Sequence, residues 1–312
     1  MISPMRDDEK LEMVVSPDAR ARLQIARKDI LTALDGLEAK VFKREPLARF
    51  LDTNRTFWRL HETFGVIKFI AYLAKIGALD TIELRSEEYG TKTLYARPTA
   101  SDLEIALAVV PAGYLSHGTA AFLHGLTDQL PTTLYVNREQ SPKPPPSAGL
   151  TQAAIDRAFR NQPRTSRYIF QFRERRVCIV SGKQTERLEV GTVTGPTGEP
   201  LAATKLERTL IDLAVRPQYA GGIPEVLAAY QAAKGRAKGR ASSTVIIATL
   251  KKLNYVYPYH QAIGFYMARA GYPTSALDQL RALGLHHDFY LAAGAKTLDY
   301  VAEWRLHIPK GL

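Results

Sequence analysis

T-K-L-E-R-T-L-I-D-L-A-V-R-P-Q-Y-A-G-G-I-P-E-V-L-A-A-Y-Q, residues 204–231, spells two helices joined by a sharp break. Leu206, Leu210, Leu213 and Ala214 recur at helical spacing, so one face of the first helix is apolar. Thr204 stands where an N-cap is needed, with Glu207 three residues on to complete a capping box. Pro217 ends the helix, because it lacks an N–H and restricts Arg216 before it. Gly221-Gly222 supplies backbone angles that other residues avoid. Pro224 then suits the first turn of a second helix, whose inner face is Val226, Leu227 and Tyr230. Arg208 to Asp212 and Asp212 to Arg216 are i,i+4 pairs, which predicts a salt-bridged helix holding a domain core. A catalytic Asp212 is disfavoured, since no second carboxylate or histidine stands at ligand spacing.

Towards the N-terminus the pattern is helical, then β-like. Residues 1–17 read as a flexible arm that ends in the helix start Ser16-Pro17-Asp18. Leu23, Ala26, Ile30, Leu34 and Leu37 share one face of a helix ending near Gly36. A second helix spans residues 43–54, with Leu47, Phe50 and Leu51 inward. A turn over 54–62 carries Arg55, Trp58 and Arg59. Thr63 is placed to cap a third helix with Val66, Ile67, Ile70 and Leu73 inward; Gly65, Lys68, Tyr72 and Lys75 then face out, and Gly77 stops it. Two β-like runs follow, 79–84 and 93–97, around a polar turn. Three helices and a hairpin give the order of a winged helix-turn-helix over residues 18–98, inside an α+β chain. The expected DNA contacts are Arg44 and Arg49 on the second helix and Arg55 and Arg59 in the turn after it. Thr63, Lys68, Tyr72 and Lys75 follow from the third helix, and Arg85 and Lys92 from the hairpin. The competing reading is a three-helix packing domain with ordinary solvated charges.

Composition is that of a globular protein: 46% apolar and 23% charged residues over 312 positions. No charged-then-apolar leader opens the chain and no apolar run approaches spanning length, so a cytoplasmic protein without membrane contact is expected. The single cysteine, Cys178, lies in an apolar R-V-C-I-V run and reads as buried and inert. A formal charge of +11 points to anionic partners, nucleic acid first. Its distribution is uneven. Residues 1–98 carry a net +2, and residues 99–312 carry the other +9.

Residues 99–312 read as a larger mixed α/β domain. A short helix over 102–110 precedes a segment that turns helical at Ser116. There His117 and His124 share a face, better placed for packing and hydrogen bonding than for a metal. Residues 168–172 and 176–180 look like paired strands, with Phe170 and Phe172 inward. Their flanks are basic. Arg164, Arg167, Arg173, Arg175 and Arg176 form either a phosphate-binding surface or a solvated face. Lys238 and Arg240, in a basic glycine-containing stretch, leave the same choice between a contact loop and a linker. The end of the chain suggests two strands, D-F-Y-L-A and V-A-E-W-R-L. Asp299, Glu303 and Arg305 lack the acid pair and E-x-K element of a restriction-type nuclease core. No phosphate-loop, dinucleotide, nucleophile-elbow or metalloprotease signature occurs, so neither a cofactor nor a catalytic residue is expected.

Four stretches carry a resemblance to a known family: Y-L-S-H-G-T-A-A-F-L-H-G-L-T-D-Q-L-P at 114–131, E-R-T-L-I-D-L-A-V-R-P-Q-Y-A-G-G at 207–222, Y-P-Y-H-Q-A-I-G-F-Y at 257–266 and the ending W-R-L-H-I-P-K-G-L. The chain resembles the AbiEi antitoxins, the transcriptional-regulator half of type IV toxin–antitoxin modules, over most of residues 40–312. The resemblance implies an N-terminal winged helix that binds operator DNA and represses the shared promoter. It also implies a C-terminal antitoxin domain that counteracts a nucleotidyltransferase-like toxin without requiring a stable complex. Two other readings stay open: a transcription factor whose C-terminal domain senses a ligand or partner, and a nucleic-acid-processing enzyme.

Overall fold

The computed structural model of the chain describes residues 16–129, 131–142, 144, 149–235 and 241–312. Nearly all of the expected arm, much of the proline-rich loop, and Lys238 and Arg240 lie outside the described residues. The fold mixes helices with β-sheet and divides into two compact units. The first holds the described residues up to Val109 together with Phe170–Phe172; the second holds Val110–Ile169 and Arg173–Leu312.

The first unit begins with α1 (Pro17–Asp35), whose Ser16 side chain accepts from the Ala19 N–H and whose Pro17 opens the first turn. β1 (Val41–Phe42), α2 (Arg44–Asn54) and α3 (Val66–Lys75) follow. Then come β2 (Asp80–Ser86), β3 (Gly90–Ala96) and α4 (Asp102–Ala108), which a Ser101–Glu104 capping box starts. β2 and β3 form an antiparallel hairpin from Asp80↔Ala96 to Ser86↔Gly90. Gly90, at φ +67°, takes the left-handed turn conformation there. Ile82, Leu84, Leu94 and Ala96 bury one face of the hairpin, while Thr81, Glu83 and Arg85 leave the other polar. β1 pairs with β3 (Val41↔Ala96), so the hairpin gains a third strand that the sequence pattern did not announce. Trp58 stacks on Phe69 at 5.6 Å and meets the edge of Phe50 at 5.5 Å, at the centre of a core built by Leu23, Ile30, Leu47, Leu51 and Leu73.

The second unit is built on a mixed sheet. β4 (Tyr114–Leu115), α5 (His117–Leu123), β5 (Thr133–Glu139), α6 (Gln152–Arg160), β6 (Ile169–Phe172) and β7 (Arg175–Gly182) lead in; Phe170–Phe172 of β6 belongs to the first unit. β8 (Val190–Thr194) and β9 (Pro200–Thr204) complete the sheet. Its order is β7-β5-β4-β9-β8, with β5 and β7 parallel and β4 antiparallel to β5. α7 (Leu206–Val215) has Arg208 through Ala214 buried, and α8 (Ile223–Gly235), α9 (Ser243–Leu253) and α10 (Tyr259–Arg269) pack around it. α11 (Thr274–Arg281) precedes a small sheet of β10 (Phe289–Tyr290), β11 (Leu298–Val301) and β12 (Leu306–Pro309). Gly264 of α10 lets this end close, since a Cβ there would come within 2.2 Å of the Trp304 ring.

Several local expectations need correction. Thr204 is the last residue of β9 and shares a 2.8 Å hydroxyl contact with Thr209; Lys205 takes the cap position of α7, and Glu207 accepts from the Ser242 N–H instead. Thr63 is not the cap of α3, because the cap position falls two residues later on Gly65, and the Thr63 hydroxyl meets His61 Nδ1. The V-A-E-W-R-L run is not one strand. Ala302–Trp304 is a 3-10 turn, and Arg305 takes a left-handed φ of +46° before β12 begins. By contrast Gly221 and Gly222 do hold positive φ, +99° and +123°, after the 3-10 turn Pro217–Tyr219.

Candidate functional site

The helix expected to read DNA is α3, and its phase differs from the sequence expectation. Phe69, Ile70 and Leu73 face the core. Ile67 is 64% exposed, although expected inside. Tyr72, expected outside, is half-buried and its hydroxyl donates to the Leu23 carbonyl at 3.1 Å. The Phe69 ring fills the space against Trp58 and Phe50, which turns the helix and leaves Ile67, Ala74 and Lys75 exposed, with Lys68 and Ala71 half-buried between them on the outer side.

Other expected contacts separate into surface and structural groups. Arg44, Arg49, Arg59, Arg85 and Lys75 are exposed; Arg49 pairs with Glu45 and Arg85 with Glu83 on the surface. Arg55 is different. Its Nη1 donates to the carbonyls of His61 and Phe64, at 2.9 and 2.8 Å, so it fastens the loop between α2 and α3. Lys92 is half-buried over the Phe170 ring and donates to the Val109 carbonyl at 3.1 Å.

Two basic residues of the second unit line separate clefts. Arg164 lines a cleft of about 600 Å³, and Arg176 lines another of about 450 Å³. Arg167 and Arg173 are exposed, and Arg175 is half-buried with Nη1 on the Pro131 carbonyl at 3.4 Å.

Inside the second unit lies a polar cluster that sequence reading recognised only in part. Arg208 Nε donates to Asp212 Oδ1 at 2.8 Å with both side chains buried, and Arg208 Nη1 reaches the Leu188 carbonyl. Burial raises the Asp212 carboxyl, and the Arg208 guanidinium opposes that rise. His117 touches Ser116 Oγ through Nδ1 and meets the Tyr219 ring edge-on at 5.2 Å. Burial, then Arg216 and Arg208, bring its imidazole down to about 3, so it is neutral. The His124 ring contacts the Thr204 carbonyl, as a packing histidine should. Asn137 Nδ2 donates to the Tyr114 hydroxyl, and that hydroxyl donates to Glu139. Burial raises the Glu139 carboxyl, but hydrogen bonds from Thr185, Tyr114 and the Arg187 N–H outweigh it and hold the group below its usual range. Tyr114 opens one of the quoted stretches, but Asn137 and Glu139 carried no motif. Alternation along β5 was the available signal, since it puts Asn137 and Glu139 on one side of the strand.

The elements of a metal or nuclease centre are engaged elsewhere. Asp299 accepts from the Gly311 N–H, Glu303 pairs with Arg281, and Arg305 pairs with Asp288. Among the described residues no group of three or more His, Cys, Asp or Glu is arranged to hold a metal. Cys178 is buried, and burial pushes its thiol up to about 11. No helix among the described residues is long and apolar enough to cross a membrane.

No protein-family model matches the chain, and no curated protein is significantly similar to it in sequence. Among solved structures it is similar to the crystal structure of the RV2827C protein from Mycobacterium tuberculosis. The TM-score is 0.53 at 15% identity, covering 94% of this chain and 92% of that one. That likeness is one of fold alone, over nearly the whole of both chains.

Proposed function

We propose that the chain is a DNA-binding regulator of the AbiEi antitoxin kind. Its first unit represses its own operon, and its second unit counteracts a nucleotidyltransferase-like toxin. The observation that carries the DNA reading is the course α1-β1-α2-α3-β2-β3 with β1 laid against β3. That order matches the one expected of a winged helix, with Lys68 and Lys75 on the outward side of α3; the hairpin tip carries Glu87 and Glu88. The antitoxin reading rests on the four quoted stretches, which support one another in the second unit. The His117 ring meets Tyr219, Gly264 lies under Trp304, and Gln261 Nε2 donates to the Trp304 carbonyl at 2.7 Å.

Two assays test the proposal. The DNA upstream of the chain's own gene should be bound more tightly than a scrambled duplex at equal salt. Co-expression should relieve growth arrest by the toxin encoded beside it. Equal affinity for both duplexes removes the repressor role, and persistent arrest removes the antitoxin role.

A further inference from the structure

The polar cluster of the second unit encloses a recess of about 60 Å³, lined by His117, Asn137, Lys183, Arg208, Asp212 and Arg216 among others. This is room for a few waters or one small oxyanion group. Its charges do not balance. Arg208, Lys183 and Arg216 face one lining carboxylate, Asp212, with Glu139 within electrostatic reach of it, and His117 is neutral. Lys183 stands at the exposed rim, where Nζ donates to the carbonyls of Leu253 and Asn254, at 2.6 and 2.7 Å, and among the described residues it pairs with no carboxylate. Arg216 Nη2 makes a 3.4 Å contact to the Ser181 carbonyl, its guanidinium lies over the Tyr219 ring, and its charge acts on Asp212.

A second observation concerns Asn137, which is 3% exposed. Its Nδ2 is committed to the Tyr114 hydroxyl, which fixes the carboxamide, and its Oδ1 has no partner. The carboxamide packs where a Cβ on Gly182 would stand, 2.4 Å from Oδ1, so only glycine fits opposite it. A buried acceptor without a donor is uncommon in folded proteins and calls for an N–H or O–H. The recess also adjoins the larger cleft. Val215 and Arg216 line both, and the cleft adds Arg164, Gln162, Tyr257 and Tyr259.

We infer that this recess binds the phosphate of a small phosphorylated hydroxy compound, such as a sugar or nucleoside monophosphate. The cations of Arg208, Lys183 and Arg216 take the phosphate oxygens. A protonated phosphate oxygen or a neighbouring hydroxyl donates to Asn137 Oδ1, and the organic body lies in the cleft against Tyr257 and Tyr259. Phosphodiesters of duplex DNA carry no such proton and are too bulky for the recess, so this site is separate from the operator contacts and does not depend on them.

The test is calorimetric titration of the full chain, without DNA, using inorganic phosphate, sulfate and adenosine 5′-monophosphate. Phosphate should bind at least tenfold more tightly than sulfate, which carries no donor proton at neutral pH, and the monophosphate more tightly than phosphate. Arg216→Gln and, separately, Lys183→Met should each weaken phosphate at least tenfold while leaving the ligand-free melting temperature within a few degrees. Duplex DNA should not compete. Equal response to phosphate and sulfate would overturn the inference, as would unchanged phosphate affinity in a folded variant of either residue. Absence of heat with all three anions would show that the recess holds water only.

Discussion

His117 lies on a left-handed φ of +50° at the start of α5, buried against Tyr219. In the unfolded chain its imidazole takes a proton near pH 6.5; in the folded chain it stays neutral down to about 3. The unfolded state therefore binds more protons between these values, and stability falls as pH drops through that window. The loss is at most about 1.4 kcal/mol for each pH unit. His117→Asn suits the left-handed backbone and removes the titrating ring. Its melting temperature should fall less than that of the wild type between pH 7 and pH 4.5. Parallel curves would mean that the loss comes from carboxylates such as Glu139, whose lowered pKa acts in the same direction. Arg55 supplies a second check on single residues. Because it ties the carbonyls of His61 and Phe64, Arg55→Ala should cost about 1–3 kcal/mol of stability by leaving those groups unsatisfied. DNA affinity of the still-folded fraction should change little. A variant that melts like the wild type yet loses DNA would restore Arg55 to the contact surface.

The elements show where sequence reading succeeds and where it stops. α1, with Ser16, Pro17 and one apolar face, was legible because cap, proline and period agree. So was the break at Pro217 and Gly221-Gly222, since those residue types leave the backbone few options. α3 was legible as a helix but not in its phase. V-I-K-F-I-A-Y-L has apolar residues on more than one face, and only the aromatic packing of Phe50, Trp58 and Phe69 decides which turns inward. β1 has two residues and gained its identity from pairing with β3, a long-range event with no local signal. The same holds for the recess. Arg208 and Asp212 could be paired from i,i+4 spacing, but Asn137, Lys183 and Arg216 reach it from three separate elements or loops.

For the whole molecule, the uneven charge shapes the expected binding. Residues 1–98 carry only +2, so few phosphate contacts are available there, and the +9 of the remainder is the larger reservoir. Arg173 and Arg176 are exposed, whereas Arg175 is partly engaged by the Pro131 carbonyl. Neutralising all three should therefore reduce the salt slope of DNA binding by about two units rather than three, with sequence preference kept. An unchanged slope together with lost protection from the toxin would assign these arginines to the antitoxin role. The most direct measurement is an anisotropy titration of the DNA upstream of the chain's own gene, at fixed salt, with wild type and with Lys68→Ala/Lys75→Ala. The outer stripe of α3 predicts saturable binding that prefers this DNA over a scrambled duplex, weakened by roughly 1–3 kcal/mol in the double variant without a change in melting temperature. Equal affinity of wild type and variant, or of the two duplexes, would contradict it.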